Sequence, residues 1–324
     1  MRVVVVGAGA TGGFLGGFLA RAGHDVTLVA RGAHLEAMRR AGLAVRTAEG
    51  EFTVRPDCTG ELDAVGEAQV AFLAVKAHAV APLAPRLGKL LRPGTALVTL
   101  QNGLPWWYFQ RHGGPLDGTR LETVDPGGVI ERNLDPRQVV GAVVYAASSV
   151  VEPGVIEHME GTRFTIGELD GSRSERCRAI STALTEAGLR CPMRTDIRKE
   201  IWLKLIGNAV LNPLSALTRA SLAAIGGDAG ARALALEAMS EAVRVAGAVG
   251  VELDLSVEQR LAGAARVGEH RTSMLQDVEA GRPLEVDALL GGVVETGHLV
   301  GLELPRLEML YACVKLLDHS LRHG

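Results

Sequence analysis

Three features of the amino-acid sequence predict an α/β protein in two parts, a doubly wound, mostly parallel sheet followed by an all-helical region. The first is a glycine-punctuated strand, turn, helix and strand at the start of the chain. The second is the alternation of short apolar strands with helical stretches that continues to about Ser172. The third is the long helical periodicity beyond it, where no strong β-branched run returns.

Arg2-Val3-Val4-Val5-Val6 is a β-branched run short enough for a strand and apolar enough to be buried on both faces. Gly7-Ala8-Gly9-Ala10-Thr11-Gly12 follows, then an apolar helical stretch from Gly13 to Ala22 closed by Gly23, and a second strand from Asp25 to Ala30. The set fits one βαβ unit of about 30 residues. Leu43 to Val54 alternates as a hairpin turning at Glu49-Gly50. Val70–Val75 and Ala96–Leu100 read as further strands around a helical stretch near Pro82 to Leu91, and Val139–Val150 and Val155–Ile166 add strand character. Leu104 to Gln138, with Trp106, Trp107 and Tyr108, reads as a long loop. The boundary is placed near Arg194, giving a nucleotide-binding domain over 1–194 and a helical substrate and catalytic domain over 195–324.

Composition narrows the function classes. Lys+Arg 34 against Asp+Glu 37 leaves a net charge of −3 with no basic stripe, so nucleic acid is not an expected partner. Hydrophobic residues at 47% and charged residues at 22% exclude a mainly disordered chain. The four cysteines, Cys58, Cys177, Cys191 and Cys313, lie far apart and outside any metal-ligand spacing, which predicts buried thiols, no metal and a cytoplasmic protein. The uncharged stretch Val3–Ala20 holds six glycines and makes a poor membrane span, so no membrane association is expected.

Gly7, Gly9 and Gly12 follow a strand and open a helix, the context a Rossmann-type dinucleotide turn requires. Gly7 would permit the tight turn, Gly9 the approach of a pyrophosphate, and Gly12 close packing of helix on strand, with Ala8, Ala10 and Thr11 completing the turn. An NAD site usually carries Asp or Glu at the end of the second strand, but here the sequence reads Val29-Ala30-Arg31-Gly32. Arg31 suits the 2′-phosphate of NADP(H). Lys76 and Asn102 each follow a strand and are expected at the same carboxyl edge, bordering cofactor and reacting centre.

In the helical region Lys204, Asn208 and Asn212 recur every four residues. At about 100° per residue each step leaves an offset of about 40°, so all three line one face of an otherwise apolar helix. Such a stripe needs partners, either other helices or a substrate met by an ammonium proton donor and by amides. Pro283 is expected to open a helix with Glu285 near its start, where the carboxylate could face Lys204 or simply favour the helix dipole.

These residues together resemble the ketopantoate reductase (2-dehydropantoate 2-reductase) family within the 6-phosphogluconate dehydrogenase-like group. The matching pieces are the glycine turn with Arg31, Val75-Lys76, Gln101-Asn102-Gly103, the Lys204/Asn208/Asn212-Pro213 helix, Ser273-Met274-Leu275-Gln276-Asp277 and Glu285. The resemblance implies reduction of a 2-oxo acid by NADPH, ketopantoate to pantoate being the best single guess. It implies Lys204 as general acid, Glu285 positioning it and contacting substrate, Asn208, Asn212 and Ser273 holding hydroxyl and carboxylate, and Asn102 and Lys76 between cofactor and substrate. The aromatic stretch 104–138 looks longer than in compact members, and its rings either cap a pocket for another substrate or pack the loop. Reduction of another 2-oxo acid, a β-keto or β-hydroxy acid or an imine therefore stays open, as does non-catalytic NADP(H) binding, and the helical domain leaves room for a homodimer.

Overall fold

The structure, a computed structural model, describes residues 1–266, 268 and 271–323. Contacts divide it into two compact units, the first made of Met1–Gln101, Phe109–Gly118 and Gly127–Ile197, the second of Asn102–Tyr108, Thr119–Pro126 and Arg198–Gly324.

The first unit is built on a nine-stranded sheet. Its strands are β1 (Arg2–Val6), β2 (Asp25–Val29), β3 (Leu43–Thr47), β4 (Gly50–Val54), β5 (Asp57–Thr59), β6 (Val70–Leu73), β7 (Ala96–Thr99), β8 (Val139–Glu152) and β9 (Val155–Glu168). They lie in the order β4-β3-β9-β8-β7-β6-β1-β2-β5. From β5 through β8 every neighbouring pair is parallel, while β8–β9 and β3–β4 are antiparallel. Strand order reverses where β1 sits between β2 and β6, and in such sheets the crevice at the carboxyl ends beside that reversal is where ligands bind. The helices of this unit are α1 (Ala10–Arg21), α2 (Gly32–Ala41), α3 (Val80–Leu90), α4 (Val129–Asn133) and α5 (Glu175–Glu186).

The glycine surplus, 40 of 324 residues, has a packing use in α1. A Cβ on Gly16 would meet Leu28 at 2.5 Å and one on Gly17 would meet Val45 at 2.7 Å, so the bare helix face lets α1 settle on the sheet. Phe14, Leu15 and Leu19 then join Val3, Val5, Leu28, Phe72, Val98 and Phe164 in one core.

The second unit is helical: α6 (Ile197–Thr218), α7 (Leu222–Gly227), α8 (Ala229–Ala248), α9 (Val257–Ala265), α10 (Ser273–Glu279), α11 (Gly292–Leu299) and α12 (Pro305–His323), with a π-turn at Asp287–Gly291. Side-chain caps mark several starts: Ser221, Asp228, Ser256 and Thr272 each accept a backbone N–H of the first turn. Among the described residues no helix is long and apolar enough to cross a membrane.

Several local expectations are corrected. The hairpin turns at Ala48-Glu49, because Thr47 pairs with Gly50 inside the ladder. The short strand β5 has no apolar alternation to announce it. The chain is not cut once near Arg194: 102–108 and 119–126 join the helical unit. Leu104 N–H donates to the Ala288 carbonyl (2.8 Å), and the Glu295 carboxylate accepts the Glu122 and Thr123 N–H groups (2.7 and 2.8 Å). Nor is 104–138 an open loop, since it contains α4 and buries Trp106, Trp107, Tyr108 and Phe109. Pro283 opens no helix: residues 282–285 are irregular, with Leu284 N–H tied to Asp318 Oδ1 at 2.8 Å, and the helical turns begin at Val286. Of the thiols, Cys177 and Cys191 are buried, Cys58 is half-buried and Cys313 is exposed.

Candidate functional site

The nucleotide turn is built at the carboxyl end of β1. Gly7 has φ +98°, and a Cβ there would lie 2.6 Å from Val75 Cγ1, so both conformation and space demand glycine. A Cβ on Gly12 would lie 2.2 Å from the Gly7 carbonyl oxygen, which is how the start of α1 packs down onto the turn. Gly9 differs: it has an ordinary φ of −74° and nothing within 4 Å of where its Cβ would stand. Its smallness serves no packing purpose inside the chain and leaves an open approach to the backbone. Gly9 also caps α1 without a side-chain bond, and no acidic residue occupies the first turn, so the positive end of the helix dipole is neither capped nor neutralised locally.

Arg31 follows β2 as the exposed N-cap of α2, and no carboxylate stands at that strand end. Lys76 is the N-cap of the short 3-10 turn Ala77–Ala79, three residues after β6 ends at Leu73. Gln101 holds the adjacent strand ends together, its side-chain N–H₂ donating to the Leu73 and Val75 carbonyls at 2.8 and 2.9 Å. His34, which carried no sequence signal, accepts the Gly154 N–H at 2.9 Å and lies beside Ala8 of the turn. Burial holds its imidazole below the usual histidine range, with the Ala8 backbone partly opposing.

In the second unit Lys204, Asn208 and Asn212 lie at successive turns of α6, as their spacing requires. Lys204 Nζ donates to Asn102 Oδ1 at 2.6 Å, bringing together residues 102 positions apart. Gly103 explains how Asn102 arrives there: with φ +91°, and with a would-be Cβ only 2.1 Å from the Ala288 oxygen, it lets the chain run directly against the segment that follows Glu285. Burial pulls the Lys204 ammonium down from 10.5 to about 8; the Glu285 carboxylate opposes this and the Arg260 guanidinium adds to it. Glu285 is therefore close enough to act on Lys204 electrostatically.

Asn212 is buried and Asn208 half-buried, and the hydrogen bonds among the described residues use neither side-chain amide. Ser273 is exposed in the first turn of α10 with no bond from its hydroxyl among the described residues; the neighbouring Thr272 supplies the cap, its Oγ1 accepting Leu275 N–H at 3.2 Å. No distance ties Ser273 to the Lys204 group.

Comparison with known proteins places the chain in a family. The profile described as ketopantoate reductase PanE/ApbA matches residues 3–106, and its C-terminal counterpart matches 196–318. A Mesorhizobium japonicum protein named 2-dehydropantoate 2-reductase is 47% identical over 319 residues, 98% of each chain. The chain belongs to the ketopantoate reductase family. A PanE/ApbA family ketopantoate reductase structure from Ralstonia eutropha JMP134 is 28% identical, covers 100% of both chains and superposes with a TM-score of 0.86. The 2-dehydropantoate 2-reductase structure from Geobacter metallireducens GS-15 gives 27% identity, 98% and 99% coverage, and a TM-score of 0.85. The fold is therefore that of the family throughout, a Rossmann-type sheet followed by helices.

The aromatic stretch of this ketopantoate reductase family member packs rather than caps. Tyr108 and Trp202 are buried edge to face with centroids 6.3 Å apart, and Trp202 Nε1 donates to Tyr108 Oη at 2.6 Å. Two residues near the site escaped the sequence reading. Gln101 entered only as part of a motif, and its clamp between strands depends on which strands are neighbours. Arg260, on α9, has no spacing pattern relating it to Lys204 at all.

Proposed function

We propose that this protein reduces 2-dehydropantoate (ketopantoate) to pantoate with NADPH. The observation that carries the reading is Lys204 of a ketopantoate reductase family chain, an ammonium titrating near 8, bonded to Asn102 and faced by the charge of Glu285. The glycine turn fits the cofactor, since Gly9 leaves the backbone approachable and the start of α1 is uncapped. Its residues Gly7 to Gly12 would hold the pyrophosphate, and Arg31 the 2′-phosphate, with Lys76 and Asn102 bordering the nicotinamide side.

When bound, the cofactor supplies a hydride to the carbonyl carbon of the 2-oxo acid. Negative charge then develops on the carbonyl oxygen, where Lys204 Nζ both stabilises it and delivers a proton. Asn102 accepts one of the ammonium's hydrogens and thereby aims the others. Glu285 keeps the ammonium protonated against the cost of burial. Asn208, Asn212 and Ser273 would bind the hydroxyl and carboxylate ends of the substrate. Assignment to the cytoplasm accords with four cysteines that form no disulfide.

The test is a steady-state comparison of NADPH oxidation with ketopantoate and with a panel of other 2-oxo acids, using NADH as control. High kcat/KM for ketopantoate with NADPH preferred supports the proposal, and R31A should erase most of the preference for NADPH over NADH. Efficient turnover of a different 2-oxo acid with little of ketopantoate would replace the substrate, and unchanged turnover in K204A would remove Lys204 from its role.

A further inference from the structure

Arg260 sits in the first half of α9, five residues before that helix ends at Ala265, and its guanidinium lies across α6 at Gly207. A Cβ on Gly207 would stand 3.2 Å from both Arg260 Nε and Nη2. Gly207 precedes Asn208 and lies about 60° around the helix from Lys204, so the guanidinium rests on the border of the Lys204/Asn208 stripe. It is close enough to Lys204 to depress the ammonium's proton affinity. Among the described residues it has no ion-pair partner and no side-chain hydrogen bond, whereas Arg271 pairs with Glu279 and Arg282 with Asp277.

Around the Lys204 ammonium the Glu285 carboxylate and the Arg260 guanidinium act in opposite directions, and Arg260 adds a second cation to the group. Holding a second cation beside a desolvated ammonium is unfavourable unless an anion joins them. The substrate class in the proposed function is an anion: a 2-oxo acid places its carboxylate on the carbon next to the carbonyl that Lys204 protonates. A guanidinium offers a planar pair of N–H donors matched to that carboxylate, and the bare backbone at Gly207 gives it room to lie flat.

We propose that Arg260 is the substrate-carboxylate anchor of this enzyme, setting its preference for 2-oxo acids over uncharged 2-oxo compounds. The amides of Asn208 and Asn212 are then left to the oxygen functions beyond the reacting carbon. This inference rests on the reading of the Lys204 group as a 2-oxo acid reductase site.

The experiment compares kcat/KM for ketopantoate and for its methyl ester in the wild type, R260M, R260Q and R260K, with NADPH saturating and thermal melts confirming the fold. The wild type should favour the acid, and R260M and R260Q should each lower the acid-to-ester ratio by about ten- to a hundred-fold, the size of a lost hydrogen bond to a charged group. R260K should recover part of that ratio, since it restores charge without the planar pair of donors. A merely structural arginine would lower both substrates together and leave the ratio unchanged, which would overturn the proposal while the reductase reading stands. A wild type that reduces no 2-oxo acid would bring down both.

Discussion

Reduction should lose about nine-tenths of its kcat/KM between pH 7 and pH 9, because Lys204 gives up its proton over that interval. The magnitude follows from burial. Lys204 titrates at about 8 instead of 10.5, desolvation outweighing the help of Glu285. With that value the protonated fraction is about 0.9 at pH 7 and about 0.1 at pH 9, whereas an ordinary lysine would remain about 0.97 protonated at pH 9. A 2-oxo carboxylate stays ionised throughout, so the substrate adds no titration of its own. The assay is the initial rate of NADPH oxidation at low ketopantoate over about pH 6 to 10, which reports groups on the free enzyme. Glu285→Gln supplies the second arm: removing the carboxylate that raises the proton affinity of Lys204 should move the alkaline limb to lower pH while keeping the side-chain volume. A flat profile through pH 9, or a limb that moves upward in E285Q, would refute Lys204 as the acid or Glu285 as the group that sustains it.

The same titration acts on stability. Below about 8 Lys204 is protonated in both folded and unfolded chains and its full burial penalty is present; between about 8 and 10.5 the unfolded chain holds a proton that the folded chain does not, so folding gains with pH. Wild-type stability in denaturant should therefore rise relative to K204M across that window, and parallel pH curves would contradict it. Two glycines separate ligand space from packing. Gly9→Ala should leave stability within about 0.5 kcal/mol while weakening NADPH binding in a fluorescence titration, whereas Gly103→Ala, driven against the Ala288 oxygen at positive φ, should cost about 2–4 kcal/mol. Equal melting shifts for the two would refute the distinction. Tyr108→Phe leaves Trp202 Nε1 buried without its acceptor and should destabilise by about 1–3 kcal/mol in chemical denaturation, with substrate choice unaltered; a change in 2-oxo acid preference would return the aromatic cluster to a pocket role.

What was legible in the sequence was whatever depends on short spacing. The glycine turn after β1 and the missing acid before Arg31 are local backbone chemistry, and a four-residue repeat puts Lys204, Asn208 and Asn212 on one helix face whatever surrounds it. The alternation of elements likewise announced a sheet followed by helices. Turn positions and helix starts were less legible, as Thr47 pairing with Gly50 and the irregular run at Pro283 show, because ladder register and a bond from Asp318 override local preference.

Tertiary structure alone decided what the spacing could not. That Lys204 meets Asn102, that Glu285 and Arg260 set its proton affinity in opposite directions, and that four successive aromatic residues are buried all depend on contacts between distant segments. A sequence specifies which groups share a helix face, since that follows from backbone geometry. Which charges meet across helices, and how little water remains around an ammonium, follows from packing, and it is packing that brings an ordinary lysine into the pH range where it can give up a proton.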